Sequence, residues 1–254
     1  MANPYAPATQ RTMYFIGVTT AQSSIMKVFP RWSAALGLNA VLQGIDFVPN
    51  DRPERYREAV AFIKGDGNSL GALATTHKIN LLAASRDLFD HLDPYAETLG
   101  EISSISKRGG RLIGHAKDPI TAGYGLEAIV EDGYWAKSSA SLLILGSGGS
   151  SLALTLYLHE KQRAHGDVPK RILVTARREA KLAEMRALHH RIGFAIPTDY
   201  LVAETPEKAD AVVAQLPPGS MVINATGLGK DAPGSPLTDA VLSLIHISEP
   251  TRPY

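Results

Sequence analysis

The chain contains no cysteine, which excludes a disulfide framework and any thiolate-held metal centre. Long apolar runs are also missing. No stretch reaches the roughly 20 residues that a membrane-spanning helix requires, and the opening MANPYAPATQR lacks an apolar signal core. That opening reads as a flexible tail over 1–11, and the expected setting is the cytoplasm, with no membrane partner. Neither sign of charge dominates: 26 Lys and Arg against 25 Asp and Glu leave a formal charge of +1. No global basic field points to nucleic acid, and no metal site is expected. What the chain does have is 254 residues, 44% hydrophobic and 20% charged, enough for one large or two medium domains with a real core.

The first half alternates strand and helix signals. MYFIGV near 13–18 is a buried-strand pattern. A helix follows over Ser24–Leu36, with Ile25, Val28, Phe29, Trp32 and Leu36 at helical spacing. VLQGIDFV near 41–48 is a second strand. Pro53 suits the first turn of a helix whose Tyr56, Ala59, Val60 and Ile63 share a face. LGALAT near 70–75 is a third strand, and 78–92 is read as one helix with Leu81, Leu82, Leu88 and Leu92 near one face. Lys107-Arg108-Gly109-Gly110 sits between two short extended runs as a hairpin turn. Pro119–Tyr134 reads as a connecting helix. The βαβαβα order predicts a largely parallel α/β sheet. These signals divide the chain beside Asp118, into a domain over 1–117 and a second over 118–241. From Leu242 the chain reads LSLIHISEPTRPY, which resembles the translation of a sequencing-library adapter. It is set aside as non-native, so the natural chain is expected to continue past about Val241.

The second half carries the clearest motif. SLLILGSGGSS is an apolar strand running into a glycine-rich turn, and a helix follows from Gly149. In this setting Gly146, Ser147, Gly148, Gly149 and Ser150 let backbone N–H groups approach a pyrophosphate at a helix N-terminus. Ser151 stands where GxGxxG has its third glycine, a position that needs only a small residue. The alternative is a structural strand–helix turn with no ligand. RILVTAR is the next strand. It ends in Ala176-Arg177-Arg178 with no carboxylate before Glu179, where an NAD-preferring fold usually has an acid against the ribose. Arginine offers a planar donor fork for a phosphate, so this strand end favours NADP; either arginine could also be a solvated charge at a helix start. Asn224, Ala225, Thr226 and Gly227 end the fourth strand, SMVINAT, where ligands of open α/β sheets collect.

Taken together these motifs resemble the shikimate/quinate dehydrogenase family over about Phe15 to Leu237. The family's GAGGA turn matches Gly146-Ser147-Gly148-Gly149-Ser150, and its NRT-like strand end matches Ala176-Arg177-Arg178. Its NATS-G-M loop matches Asn224-Ala225-Thr226-Gly227-Leu228-Gly229-Lys230, and the DxPxP-like sequel matches Asp231 to Pro236. The resemblance implies an N-terminal α/β catalytic domain followed by a Rossmann-type NADP-binding domain. It also implies a catalytic lysine and aspartate at the domain cleft. Ala74-Thr75-Thr76-His77-Lys78 aligns with the family's T-V-P-H-K, and Ala116-Lys117-Asp118 with its N-T-D. Lys78 and Asp118 are therefore the expected dyad. Without the resemblance, Lys78 reads as a surface lysine and Asp118 as a helix cap.

The substrate contacts depart from the family. Of its S-x-S motif the chain keeps Ser23, but Ile25 replaces the second serine. Ala74 and Ala116 replace a threonine and an asparagine, and the family's N-T pair becomes Ser103-Ser104. Each lost polar partner costs roughly 1–3 kcal/mol. With Ser23, Thr75, Ser103 and Ser104 as the remaining substrate contacts, the expectation is a small-molecule substrate related to shikimate or quinate, a hydroxy or keto cyclic acid, rather than efficient shikimate turnover. His115 and Lys117 either supply replacement contacts or are exposed charges. The expected activity is an NADP-dependent alcohol dehydrogenase of the 1.1.1 class, in a monomer or homodimer. The alternative is a non-catalytic NADP-binding module.

Overall fold

A computed structural model describes residues 5–228 and 233–243. Gly229 and Lys230 of the loop matched to NATS-G-M, Asp231 and Ala232 of its sequel, and the adapter-like string from Leu244 onward lie outside the described residues. The chain separates into two compact units, Met1–Asp118 and Pro119–Tyr254. Among the described residues no helix is long and apolar enough to cross a membrane.

The first unit is built on a six-stranded mixed sheet in the order β2-β1-β3-β5-β6-β4. β1 (Thr12–Gly17), β2 (Val41–Asp46) and β3 (Ser69–Ala74) are parallel. β5 (Ser104–Arg108) and β6 (Arg111–His115) form an antiparallel hairpin joined to β3. Its turn is Gly109-Gly110, with φ of +56° and +77°. Two consecutive positive φ values are what a tight hairpin of the correct twist requires, and glycine takes them without strain. α2 (Pro53–Gly65) begins with proline at its first turn and buries Tyr56, Ala59, Val60 and Ile63, the face its spacing predicts. These residues join Tyr14, Ile16, Phe47 and Leu81 in one core.

Four expectations are corrected between residues 5 and 137. The single helix over 78–92 is three elements: α3 (Lys78–Ser85), a short helical turn, and the two-residue strand β4 (His91–Leu92), so Leu92 packs from a sheet edge. α4 (Pro94–Leu99) follows, capped by Asp93 accepting from the Ala96 N–H at 2.8 Å. Second, α1 (Ile25–Ala35) does not bury its apolar stripe. Trp32 is 55% and Leu36 70% exposed, and Ser33 is the buried residue of the helix, exchanging hydrogen bonds with Ala40. The helix lies beside β2, an edge strand, so among the described residues only one of its flanks is covered. Third, residues 5–11 are tied down rather than flexible. Tyr5 stacks on Phe62 with centroids 5.1 Å apart, and Asn68 Nδ2 donates to the Ala8 carbonyl at 2.5 Å. Fourth, the connecting helix is interrupted: α5 (Asp118–Glu127) ends in a turn, and α6 (Tyr134–Lys137) follows after Gly133.

The second unit is a parallel four-stranded sheet in the order β10-β7-β8-β9. β7 (Leu142–Leu145) is buried along its whole length, as a central parallel strand covered on both faces must be. α7 (Gly149–Arg163), β8 (Ile172–Ala176), α8 (Glu179–Ile192), β9 (Thr198–Val202), α9 (Pro206–Val213) and β10 (Met221–Asn224) follow in order. The strand–helix alternation makes this unit Rossmann-type. Trp135, 2% exposed, packs into its core with Leu142, Ile144 and Leu154.

One buried polar knot in this unit carries a pH dependence. His189 is held between Tyr200 Oη at 2.6 Å and Thr155 Oγ1 at 2.9 Å, and its ring stacks on Phe194. Burial, with a smaller contribution from His159, pushes its pKa down to about 4. The unfolded chain takes up the proton near 6.5. The folded form therefore binds fewer protons between pH 6.5 and 4, and stability is full above that window and falls within it. The expected loss is on the order of 2 kcal/mol by pH 5. Urea unfolding at pH 7 and pH 5 checks this. A His189→Gln variant should flatten the difference, and an unaltered slope would remove His189 as its source.

Candidate functional site

In the first unit, the end of β3 delivers the chain to Lys78. Thr75 N–H donates to the Ile16 carbonyl at 3.1 Å, and Lys78 N–H to the Thr75 carbonyl at 3.3 Å. His77 then anchors the start of α3. It is buried, and its Nδ1 meets the Tyr56 hydroxyl at 3.0 Å, which itself accepts from the Asp51 N–H. Lys78, one residue on, is only partly buried and donates from Nζ to Asp118 Oδ2. The pair is partly exposed, and an ion pair that water still reaches contributes no more than about 1 kcal/mol to stability. Its significance is chemical: it holds one ammonium at one place.

Asp118 is positioned from the other side by a partly buried hub. Asp93, the cap of α4, accepts from Ala116 N–H at 3.2 Å and from Lys117 Nζ at 3.3 Å, with His115 Nδ1 3.4 Å away. Ser103 Oγ accepts from Lys117 N–H at 2.8 Å. Burial first, then the Lys117 charge, lower the His115 pKa against the opposing pull of Asp93. The residues before Asp118 are thus clamped at three points. His115 and Lys117, weighed from sequence as replacement substrate contacts, both face Asp93 here.

The structure brings Lys78 and Asp118 into direct contact. It gives Ser103 a partner in the clamp. Ser104 pairs in the sheet with Leu73 and His115. Thr75 Oγ1 accepts from Thr76 N–H at 2.5 Å. Among the described residues the Ser23 hydroxyl has no hydrogen bond to the pair. One neighbour was missed by sequence reasoning. Glu101, between α4 and β5, is only 7% exposed, and burial raises its carboxyl pKa against the opposing influence of Lys78. The available signal was an acidic residue inside the otherwise apolar or small run before Ser106.

In the second unit the glycine-rich turn is built around close approach. Gly146 has φ +104°, and a Cβ there would lie 2.9 Å from the Ala225 carbonyl oxygen. The turn therefore runs flush against the end of β10, which only glycine allows. Ser151, at the third-glycine position, is fully buried and donates from Oγ to the Gly146 carbonyl at 2.7 Å, tying α7 to the turn. The loop after β10 is closed on itself. Thr226 N–H and Oγ1 both donate to Asn224 Oδ1, and Asn224 Nδ2 donates to the Leu228 carbonyl.

These segments line a cavity of about 550 Å³. Of the residues expected to hold a cofactor, Gly146, Ser147, Gly148, Ala176, Arg177, Arg178, Ala225 and Thr226 line it. Gly149, Ser150, Asn224 and Gly227 are not part of its wall. Lys181, in the first turn of α8, joins Arg177 and Arg178 there. It went unnoticed in the sequence, where its spacing of three from Arg178 was the signal. Among the described residues neither arginine has an ion-pair partner. The wall thus combines a tight backbone cradle at the start of a 15-residue helix with a cationic corner. That donor set fits a dinucleotide carrying an additional phosphate.

No protein-family model matches the chain. The shikimate dehydrogenase (NADP(+)) of Symbiobacterium thermophilum is 27% identical over 245 residues, 93% of this chain and 74% of that protein. The shikimate dehydrogenase (NADP(+)) of Lactococcus lactis subsp. cremoris is 26% identical over 153 residues, 60% of this chain and 50% of that protein. Among solved structures, shikimate 5-dehydrogenase from Listeria monocytogenes, in complex with shikimate and NAD, is 21% identical with a TM-score of 0.64. The likeness covers 89% of this chain and 72% of that one.

Proposed function

We propose that this chain, which is shikimate dehydrogenase-like in sequence and fold, is an NADP-dependent oxidoreductase acting in the cytoplasm on a hydroxy or keto cyclic acid related to shikimate or quinate. The observation that carries the proposal is the hydrogen-bonded Lys78–Asp118 pair. The first unit supplies this proton-handling pair, and the second supplies the cofactor cavity. Bound NADPH would provide the hydride. In the reducing direction Lys78 Nζ gives a proton to the substrate oxygen, and in the oxidising direction it takes one back. Asp118 holds the ammonium in place and balances its charge. Gly146, Ser147 and Gly148 would receive the pyrophosphate at the start of α7. Arg177, with Arg178 and Lys181, would receive the additional phosphate of NADP. The Listeria relative was solved with NAD, but here Ala176-Arg177 stands where an NAD-selecting carboxylate would be.

The test is NADPH oxidation by the protein with 3-dehydroshikimate, 3-dehydroquinate and related cyclic keto acids, repeated with NADH and with Arg177→Ala. Turnover of at least one acid is expected, with NADPH preferred. The arginine's hydrogen bonds to a phosphate contribute roughly 2 kcal/mol, so the variant should lose about thirtyfold of that preference. Tight NADPH binding with no turnover of any acid would instead identify a non-catalytic binding module.

A further inference from the structure

His77 is bonded through one ring nitrogen and not through the other. Its Nδ1 lies 3.0 Å from the Tyr56 hydroxyl, and that hydroxyl accepts from the Asp51 N–H at 3.0 Å. Among the described residues the Tyr56 hydroxyl hydrogen has no other acceptor, so it points to Nδ1. A nitrogen that accepts cannot itself carry a proton, and the ring's one proton is therefore on Nε2. Nε2 is buried and has no hydrogen-bond partner among the described residues. A buried donor left unpaired is destabilising, so a phenylalanine would suit the packing better. What histidine supplies and phenylalanine lacks is the Nδ1 acceptor.

That acceptor ties down the chain directly before Lys78. The Tyr56 hydroxyl gathers the loop after β2, through Asp51, and α2, to which Tyr56 belongs, onto the residue preceding α3. Phe47 packs against both rings, its centroid 4.8 Å from Tyr56 and 5.7 Å from His77. Tyr56 and His77 are each 1% exposed. The His77 main chain is committed as well, since its carbonyl accepts from the Leu81 N–H at 2.8 Å. Lys78 thus leaves a backbone fixed by a buried ring, while its far end is fixed by Asp118.

We infer that His77, held as the Nε2–H tautomer by Tyr56, is a positioning residue that acts on the reaction through Lys78: its ring anchors the base of the lysine as Asp118 anchors the head. The inference rests on the proposed dehydrogenase reading. The lysine stem is flexible, so Nζ keeps one place only when both ends are held. Displacing a reacting group by about 1 Å costs on the order of a hundredfold in rate.

Asparagine and glutamine separate this role from packing. The asparagine oxygen can stand where Nδ1 stands and keep the Tyr56 bond, whereas the glutamine amide reaches the place of Nε2. His77→Gln should lower kcat by about ten- to a hundredfold, with KM and NADPH affinity within about twofold. His77→Asn should recover most of that rate. A residue that mattered only for packing would rank the two the other way, since glutamine fills more of the ring's volume. That order, equal rates in the two variants, or an effect confined to KM would overturn the inference.

Two spectroscopic readouts need no substrate. Nitrogen NMR of protein enriched in labelled histidine should show His77 with Nδ1 unprotonated and Nε2 protonated, its signals identified by their loss in His77→Asn. The opposite tautomer would overturn the inference. In protein carrying labelled lysine, the two Cε protons of Lys78, assigned by their loss in Lys78→Met, should be inequivalent in wild type and in His77→Asn and merge in His77→Gln. Protons that stay inequivalent in His77→Gln, or are already merged in wild type, would overturn it. If the wild-type protein turns over nothing, the dehydrogenase reading fails, and the lysine signals alone decide whether His77 holds Lys78. If His77→Gln does not fold, Tyr56→Phe breaks the same bond from its other end and takes its place in both measurements.

Discussion

Lys78→Met is expected to lower kcat by roughly 10²–10⁴-fold, the range general acid–base catalysis supplies, while NADPH affinity stays within about twofold. The separation follows from where the parts lie. Lys78 and Asp118 both belong to the first unit, whereas every described residue lining the cofactor cavity belongs to the second. The fold should tolerate the change. The ion pair is partly exposed and worth no more than about 1 kcal/mol, and the methionine keeps the length of the stem. Thermal unfolding, NADPH titration and steady-state rates on the same preparation distinguish the outcomes. A rate equal to wild type would remove Lys78 from the chemistry. A loss of NADPH binding in step with the rate would mean that the substitution had disturbed the fold.

Gly146→Val should have the opposite signature, with cofactor binding lost first. A valine would be forced to φ near +104°, and its Cβ would lie 2.9 Å from the Ala225 oxygen. Strain of this kind costs on the order of 1–3 kcal/mol before the clash is counted, and the turn can escape only by moving away from β10. That movement would open the backbone cradle. NADPH affinity should fall by more than about a hundredfold, equivalent to roughly 2.7 kcal/mol, and the thermal stabilisation conferred by saturating NADPH should vanish. Gly148→Ala is the matched control for the fold. Its φ is −86° and no atom lies near the added Cβ, so the apo protein should unfold as wild type does. Retained NADPH affinity in Gly146→Val would show that the close approach of turn and strand is not what shapes the cavity.

The α/β class and the Rossmann-type second half were legible because their signals are local. Pro53 marked a helix start, Gly109-Gly110 a hairpin, and an apolar LLIL followed by glycines a strand–turn–helix. The misread parts depended on distant partners. His91-Leu92 continued a leucine spacing that suggested one helix, yet its pairing with Ile113 and Gly114 makes it a strand. Asp93-Pro94 was a readable cap and first turn for α4 that the longer helix masked. Trp32 and Leu36 had the right spacing for a core, but α1 lies beside an edge strand and none of the described residues covers its outer flank. The same distinction holds for the candidate site. Lys78 and Asp118, forty residues apart in sequence, were paired only through the family resemblance. The Asp93 clamp and Glu101 depend on three-dimensional neighbours and had no motif to announce them.

The chain's two tryptophans have a spectroscopic consequence. Trp32 is on the exposed flank of α1 in the first unit, and Trp135 is sealed in the core of the second. Each half thus carries one tryptophan, and the two sit in opposite environments. Indole emission shifts to longer wavelength as water gains access, so Trp135 reports unfolding of the nucleotide-binding half by a large red shift. Trp32, already wet, changes little in colour and is open to collisional quenchers while the protein is folded. Quenching of Trp32 silences its background without touching Trp135. The melting of the second unit can therefore be followed in the intact chain without any label.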